Sequence, residues 1–310
     1  MIDIVLIGTS ALLPLPERAL TAATLSCAGH TILFDCGEGT QAAARRAGVN
    51  ILSADLIALT HYHGDHIFGL PGLLQTMFSL NREKPLVIAG PPDIAAELLP
   101  VVRLAGWLPF GVKLVELPRE GVPLCALCPG WPPEARLTAF STVHRVTSQG
   151  YIVTLSRAGR FLPERARALG VPLKQWGALQ HGASVEVDGR TVRPEDVLGP
   201  PRRGLKFVFS GDTAACASLE QAAEDAGLFI CEATYGENEQ ETLAADHGHM
   251  TFAQAAAIAA RAGAKRLWLT HYSQMIKDPA DYIENARALF PNAECGADGM
   301  RLTLRFEEDG

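Results

Sequence analysis

Apolar residues along this chain gather in short runs that a glycine, a proline or a polar pair cuts off. That is the pattern of buried strands. Ile2–Ile7 stops at Gly8, and Thr31–Phe34 stops at Asp35-Cys36-Gly37. Asp55–Leu59, Leu86–Ala89, Thr138–Phe140, Tyr151–Leu155, Phe207–Phe209, Leu228–Cys231 and Leu267–Leu269 read the same way. Between them lie stretches of helical length: one after Gly39, then Phe68–Leu80, Ile94–Leu104 and the Ala-rich Phe252–Ala262. Strands alternating with helices predict α/β layering. The chain has no internal repeat.

Composition narrows this. With 310 residues, 48% of them hydrophobic and 20% charged, the chain can fill a sizeable core and is not a disordered one. No apolar run approaches the roughly 18 residues that span a bilayer. The start carries Asp3 and no positive charge, unlike a signal peptide. A soluble, cytoplasmic protein is expected. The seven cysteines are odd in number and scattered, and Cys125 and Cys128 form a CxxC with no second pair. Reduced thiols are expected, not a disulfide framework or a structural zinc site.

Charge changes the picture in one place. The net charge of −7 excludes a wholly basic nucleic-acid binder. Over residues 156–206, however, ten Lys and Arg stand against five acids, giving +5 and leaving −12 for the remainder. The strong apolar strands also fade there. A cationic insertion on an anionic body can select a polyanion; a solvated surface insertion is the plain alternative.

The densest chemistry is Leu59-Thr60-His61-Tyr62-His63-Gly64-Asp65-His66, directly after a predicted strand. An extended backbone points His61 and His63 the same way, and a turn at Gly64 can swing Asp65 and His66 toward a second point. Imidazole and carboxylate suit a borderline divalent ion such as zinc. Four side chains cannot complete two coordination shells. His144, Asp212 and His271 each follow a short apolar strand, where loops carry chemistry, and are the candidates to complete them.

The HYHGDH motif, a later His, Gly211-Asp212-Thr213 and Thr270-His271 together resemble the metallo-β-lactamase superfamily. More narrowly, the chain resembles the ribonuclease Z family of tRNA 3′-processing endonucleases. Phe34-Asp35-Cys36-Gly37-Glu38-Gly39-Thr40-Gln41 is similar to that family's FDCGEGTQ, and Phe68-Gly69-Leu70-Pro71-Gly72-Leu73-Leu74 continues the metal motif. Glu232-Ala233-Thr234 with a distant His249, and Leu198-Gly199-Pro200-Pro201-Arg202, also match, so the resemblance runs from Gly8 to Met300. Three places depart. Pro14-Leu15-Pro16-Glu17-Arg18-Ala19 lacks the Lys and Asn of the family's first turn. Cys231 stands where the family often has His, and Leu173–Gly177 replaces a Gly-Pro-rich turn.

The resemblance implies a four-layer αβ/βα sandwich, a single domain over residues 1–310, with 156–206 as an exosite-like arm. It implies two zinc ions per subunit, or manganese or another divalent ion in their place. His61, His63 and His144 would hold one ion, Asp65, His66 and His271 the other, with Asp212 between. The implied reaction removes the 3′ trailer of precursor tRNA by attack of a metal-activated hydroxide on a phosphodiester, leaving a 3′-hydroxyl on the tRNA. Asp65 would orient or deprotonate the nucleophile, and His249, held by Glu232, would protonate the leaving oxygen; a structural ion pair is the plain reading of the last two. The implied partners are precursor tRNA and a second subunit, with neither DNA nor a membrane. The alternatives are a hydrolase of small phosphodiesters or aryl sulfates on the same fold, and a non-catalytic RNA-binding protein.

Overall fold

The computed structural model describes residues 1–307. Its strands, in chain order, are β1 (Ile2–Gly8), β2 (Ala22–Cys27), β3 (His30–Phe34), β4 (Leu56–Ala58), β5 (Leu86–Gly90), β6 (Val112–Glu116), β7 (Val122–Pro123) and β8 (Ala135–Ser141). They continue as β9 (Gln149–Arg157), β10 (Val185–Val187), β11 (Arg190–Val192), β12 (Arg202–Phe209), β13 (Leu228–Glu232), β14 (Leu267–Thr270), β15 (Ala293–Cys295) and β16 (Arg301–Leu304). The chain divides into two compact units, one of Met1–Thr154 with Leu205–Arg305, the other of Leu155–Gly204 with the segment from Phe306. The expected span of 1–310 takes in three residues, 308–310, that lie outside the described ones.

The larger unit holds two seven-stranded sheets, in the orders β16-β1-β2-β3-β4-β5-β6 and β15-β14-β13-β12-β9-β8-β7. Both are mixed. In the first, β16 through β3 pair antiparallel and β3 through β6 parallel. In the second, β12 through β15 run parallel. The parallel strands β4, β5, β13 and β14 are buried on both faces, which is why their sequences read as continuous apolar runs. Alternate residues of each strand serve two layers. Leu33, Ile57, Leu59 and Ile88 pack outward with Leu70, Leu73, Leu74 and Met77 of the helix Leu70–Ser79. Phe229, Cys231, Leu267 and Leu269 pack outward with Phe252, Ala255, Ala256 and Ala259 of the helix Phe252–Arg261. Between the sheets, the Phe34 ring meets Tyr151, Phe207 and Phe209 at centroid distances of 5.9, 5.4 and 5.4 Å. The Tyr151 hydroxyl, buried there, donates to the Leu59 carbonyl at 2.6 Å. The order helix, sheet, sheet, helix bears out the α/β layering that the pattern predicts and is the four-layer sandwich that the resemblance implies.

Local chemistry sets the ends of these elements. The helix Phe252–Arg261 starts at a capping box in which the Thr251 hydroxyl accepts from the Gln254 N–H and the Gln254 side chain accepts from the Thr251 N–H. The predicted helix Phe68–Leu80 is found as Leu70–Ser79, and a separate short helix, Gly64–Ile67, precedes it. Pro71 sits in the first turn of the latter, where no intrahelical N–H is needed.

The smaller unit is not the strandless stretch that fading apolar runs suggest. It carries the helices Pro163–Ala168, Leu173–Gln180 and Pro194–Val197 and the hairpin β10–β11. Asp188 and Gly189 turn that hairpin with φ of 50° and 77°, as an Asp-Gly pair favours. Ala166, Val171, Leu179, Val187, Val192 and Val197 give it a small core of its own, with Phe161 and Trp176 packed against it. Among the described residues no helix is long and apolar enough to cross a membrane.

Because Phe34 is the hinge of contact between the two sheets, Phe34→Ala is expected to destabilise the fold by about 3–5 kcal/mol. Urea unfolding measures this; a loss under about 1 kcal/mol would show that the inter-sheet core closes without it.

Candidate metal centre

The strand ends of both sheets deliver the site. After β4 the chain runs through Leu59 and Thr60 to His61, and His63 is the extended residue that caps the short helix Gly64–Ile67. That helix carries Asp65 and His66. From the second sheet, Asp212 follows β12, His271 follows β14, and His144 follows β8. Gly211, with φ of 62°, lets the Asp212 turn press against Thr60, where a Cβ would fall 2.6 Å from the Thr60 Cβ. The sequence neighbours and the distant candidates therefore meet at one edge.

The ring nitrogens are oriented from behind. Asp35, fully buried at φ of 57°, accepts from the Thr60 N–H at 2.7 Å and the Thr60 hydroxyl at 2.9 Å. It also faces His66 Nδ1 at 2.8 Å. Since the Thr60 hydroxyl donates to Asp35, its oxygen accepts from His61 Nδ1, 3.0 Å away. Both His61 and His66 thus turn Nε2 into the cleft. The second sheet repeats the device. Glu232 accepts from the Thr213, Thr234 and Met250 N–H groups and from the Thr234 hydroxyl. Thr234 Oγ1 then accepts from His271 Nδ1 at 3.0 Å, freeing His271 Nε2. His144 Nδ1 donates to the Gly248 carbonyl at 2.9 Å.

Two groups of ligand atoms result. His61 Nε2 lies 2.9 Å from His63 Nδ1, and His144 Nε2 lies 3.3 Å from the same atom. Asp65 Oδ2 is 3.6 Å from His66 Nε2 and 3.8 Å from His271 Nε2. Asp212 reaches both groups. Its Oδ2 is 3.7 Å from His61 Nε2 and 3.9 Å from His144 Nε2, while its Oδ1 is 3.5 Å from His66 Nε2 and 3.2 Å from His271 Nε2. Each of the sets His61/His63/His144 and Asp65/His66/His271 brings its ligand atoms within 4.8 Å of one another.

Three of these atoms, His66 Nε2, Asp212 Oδ1 and His271 Nε2, are buried with no hydrogen-bond partner. Buried polar atoms are normally satisfied, so orphans aimed at one point fit a cation between them. The titration behaviour agrees. Burial keeps His61, His63 and His144 below the ordinary imidazole range, so they offer lone pairs. Burial opposes charge on Asp212, yet His271, His66 and His61 hold it well below the usual carboxylate range. Asp65 is lowered likewise, with His271 and His66 outweighing burial. His66 is also buried, but Asp212 and Asp35 raise it well above its usual value; carboxylates that favour a proton there favour a metal cation equally. The donor set of imidazoles and carboxylates is that of a borderline divalent ion.

Beside this centre His249 Nδ1 contacts Glu232 Oε1 at 2.8 Å. Burial alone would lower His249, but the Glu232 carboxylate prevails and raises it to about 9. His63, Asp65, His144, Asp212, His249 and His271 line an open cleft of about 590 Å³, and His61, His66 and Glu232 are buried behind them.

Two family models match the chain, the anti-Pycsar protein Apyc1 over residues 2–99 and the beta-lactamase superfamily domain over residues 163–272. Ribonuclease Z of Agathobacter rectalis is 42% identical and that of Lachnoclostridium phytofermentans 40%, each over 309 residues and 100% of both chains. The chain belongs to the ribonuclease Z family. The crystal structure of human tRNase Z, short form, is similar with a TM-score of 0.68 and 26% identity over 98% of this chain and 100% of that one. Membership makes the protein an enzyme with the metallo-β-lactamase fold, the two-sheet sandwich described above. The nine predicted site residues fall in overlapping clusters, six of them lining the cleft. What the sequence reading lacked was the supports. Asp35 and Thr60 stand in quoted motifs, but a carboxylate ending a strand and a Thr before a His carry no sign of which ring they aim.

Asp35→Asn removes the carboxylate charge and one of the two acceptor oxygens that serve Thr60 and His66, while keeping the side chain's shape. It is expected to weaken zinc binding roughly 10–100-fold, read by competition with a chromogenic chelator. Unchanged affinity would refute the orienting role.

Proposed function

We propose that the protein is a zinc-dependent endoribonuclease that removes the 3′ trailer from precursor tRNA. The observation that carries this is the full-length match to ribonuclease Z relatives in a chain whose complete ligand set converges. His61, His63 and His144 would hold one ion, Asp65, His66 and His271 the other, and Asp212 both. Such a pair supplies a water nucleophile at neutral pH and neutralises charge on the phosphoryl oxygens. Manganese or another divalent ion fits the same donors.

The protein's own groups do the rest. Asp65 Oδ2, fixed by the Leu12 N–H at 3.0 Å, orients the attacking water or takes its proton. The phosphodiester breaks at its 3′-oxygen, which departs as a hydroxyl only if a proton reaches it. His249 is the donor. With Nδ1 held by Glu232, its charged form is favoured and Nε2 carries the proton to be given up. The products are a tRNA 3′-hydroxyl and a trailer with a 5′-phosphate.

Substrate is gripped elsewhere. Arg165, Arg167, Lys174 and Arg190 are exposed on the smaller unit, and Arg167 is held over the Trp176 ring at 5.6 Å. This supports an exosite that neutralises tRNA backbone phosphates, a salt-sensitive and shape-based contact without base readout. We assign the enzyme to the cytoplasm, where its substrate is made, and propose a homodimer. Phe78 and Trp107 form an exposed ring pair 6.0 Å apart, with Leu99 and Leu104 exposed on and after the helix Ile94–Arg103, a face suited to a second subunit.

The test is cleavage of a 3′-extended tRNA with mapping of the cut end; no cut at the mature terminus defeats the proposal. The triple variant Arg165→Gln, Lys174→Gln, Arg190→Gln is expected to lose tRNA cleavage far more than turnover of a small chromogenic phosphodiester, with a flatter salt dependence. Equal losses on both substrates would favour the small-phosphodiester reading of the fold.

A further inference from the structure

The two walls of the cleft differ in chemistry. The wall built on the first sheet presents Leu12, Leu13 and Phe68, which are 66%, 47% and 67% exposed. The wall built on the second presents Arg145, Tyr235, His247 and His249. There the Tyr235 hydroxyl and His247 Nδ1 lie 2.6 Å apart. An exposed Phe beside a cluster of ligands has no packing reason to be there, since burial is what stabilises such a ring.

The Phe68 ring is nonetheless held in place. A Cβ on Gly64 would lie 2.3 Å from its Cε2, 2.6 Å from its Cδ2 and 2.9 Å from its Cζ. The ring therefore lies against the bare Cα of Gly64, the residue between His63 and Asp65. Its backbone is fixed as well, with the Phe68 N–H donating to the Gly64 carbonyl at 2.9 Å. One side of the ring rests on the ligand loop and much of the remainder is open to the cleft. That is a preorganised flat surface on the same cleft that His63 and Asp65 line.

Resting on the functional reading above, the next step is direction. The departing 3′-oxygen, and with it the last retained nucleotide, belongs beside its proton donor His249 on the second-sheet wall. The nucleotide bearing the scissile phosphate then runs out along the opposite wall. We propose that Phe68, flanked by Leu12 and Leu13, is the stacking site for the first base of the trailer. These side chains offer no hydrogen-bond donor or acceptor, so the site accepts any base and measures only that one is present. The retained side, with Arg145 and the Tyr235–His247 pair, is the polar one.

The experiment uses the intact protein and three substrates. They are a 3′-extended tRNA, the same RNA abasic at the first trailer nucleotide, and the same RNA abasic at the last retained nucleotide. Wild type, Phe68→Ala and Phe68→Trp are compared by KM and kcat. Phe68→Ala is expected to raise KM roughly tenfold on the intact and the retained-abasic RNA, from loss of one base–aromatic stack. On the trailer-abasic RNA it should match wild type, and Phe68→Trp should restore the intact substrate. An equal penalty on all three RNAs, no penalty on any, or a penalty that vanishes only for the retained-abasic RNA would overturn the assignment. If wild type cleaves none of them, the functional reading fails first, a result distinct from the other three.

Discussion

A pair of buried carboxylates, one at the edge of each sheet, is what the rest of the site depends on. Asp35 holds His66 directly and His61 through Thr60, and Glu232 holds His249 directly and His271 through Thr234. A desolvated carboxylate is costly unless its lone pairs are filled, and each of these is filled by backbone N–H groups as well as side chains. The sandwich provides those N–H groups at its strand ends. Fold and site are therefore one construction: the layers fix the two carboxylates, the carboxylates fix the rings, and the rings leave buried nitrogens with no partner but what lies in the cleft. Asp35 and His271 both adopt left-handed backbone, with φ of 57° and 59°. That conformation costs roughly 1–2 kcal/mol for such residues, and here it turns functional side chains aside at the first residue after a strand.

Much of this was legible in the sequence because parallel strands buried on both faces leave an unmistakable trace. β4, β5, β13 and β14 are bare apolar runs, and their ends locate His61, Glu232 and His271. The ligands were legible for a second reason, since so many imidazoles and carboxylates have little packing rationale in six residues. Where a strand lies at the rim of a sheet, its signal weakens. β6 is half-buried and β16 is partly exposed, and their mixed sequences do not stand out. The smaller unit was hidden for a related reason. Its core rests on six small or medium side chains spread over more than thirty positions, too sparse for any periodicity window, although its Asp-Gly turn was there to be read. That Phe68 lies on Gly64 was missed because the expected helix began at Phe68, whereas the short helix Gly64–Ile67 makes the two i,i+4 neighbours.

The charge distribution fits the proposed division of labour. A body carrying −12 would repel RNA except where cations offset it, and the segment 156–206 carries +5. If the substrate is held through its phosphates at that unit, as proposed, the cleft is free to be specific about geometry, not sequence. The cleft itself then needs only a place for two cations, a proton donor and a surface for a base.

Counting metal ions is the most direct test of the central claim. Protein loaded with excess zinc, desalted and examined by native mass spectrometry is predicted to carry two ions per chain. His144→Ala and His271→Ala, which strip one ligand from opposite halves of the centre, should each retain one. A wild-type chain that holds none, or two variants that both keep the full pair, would contradict the account.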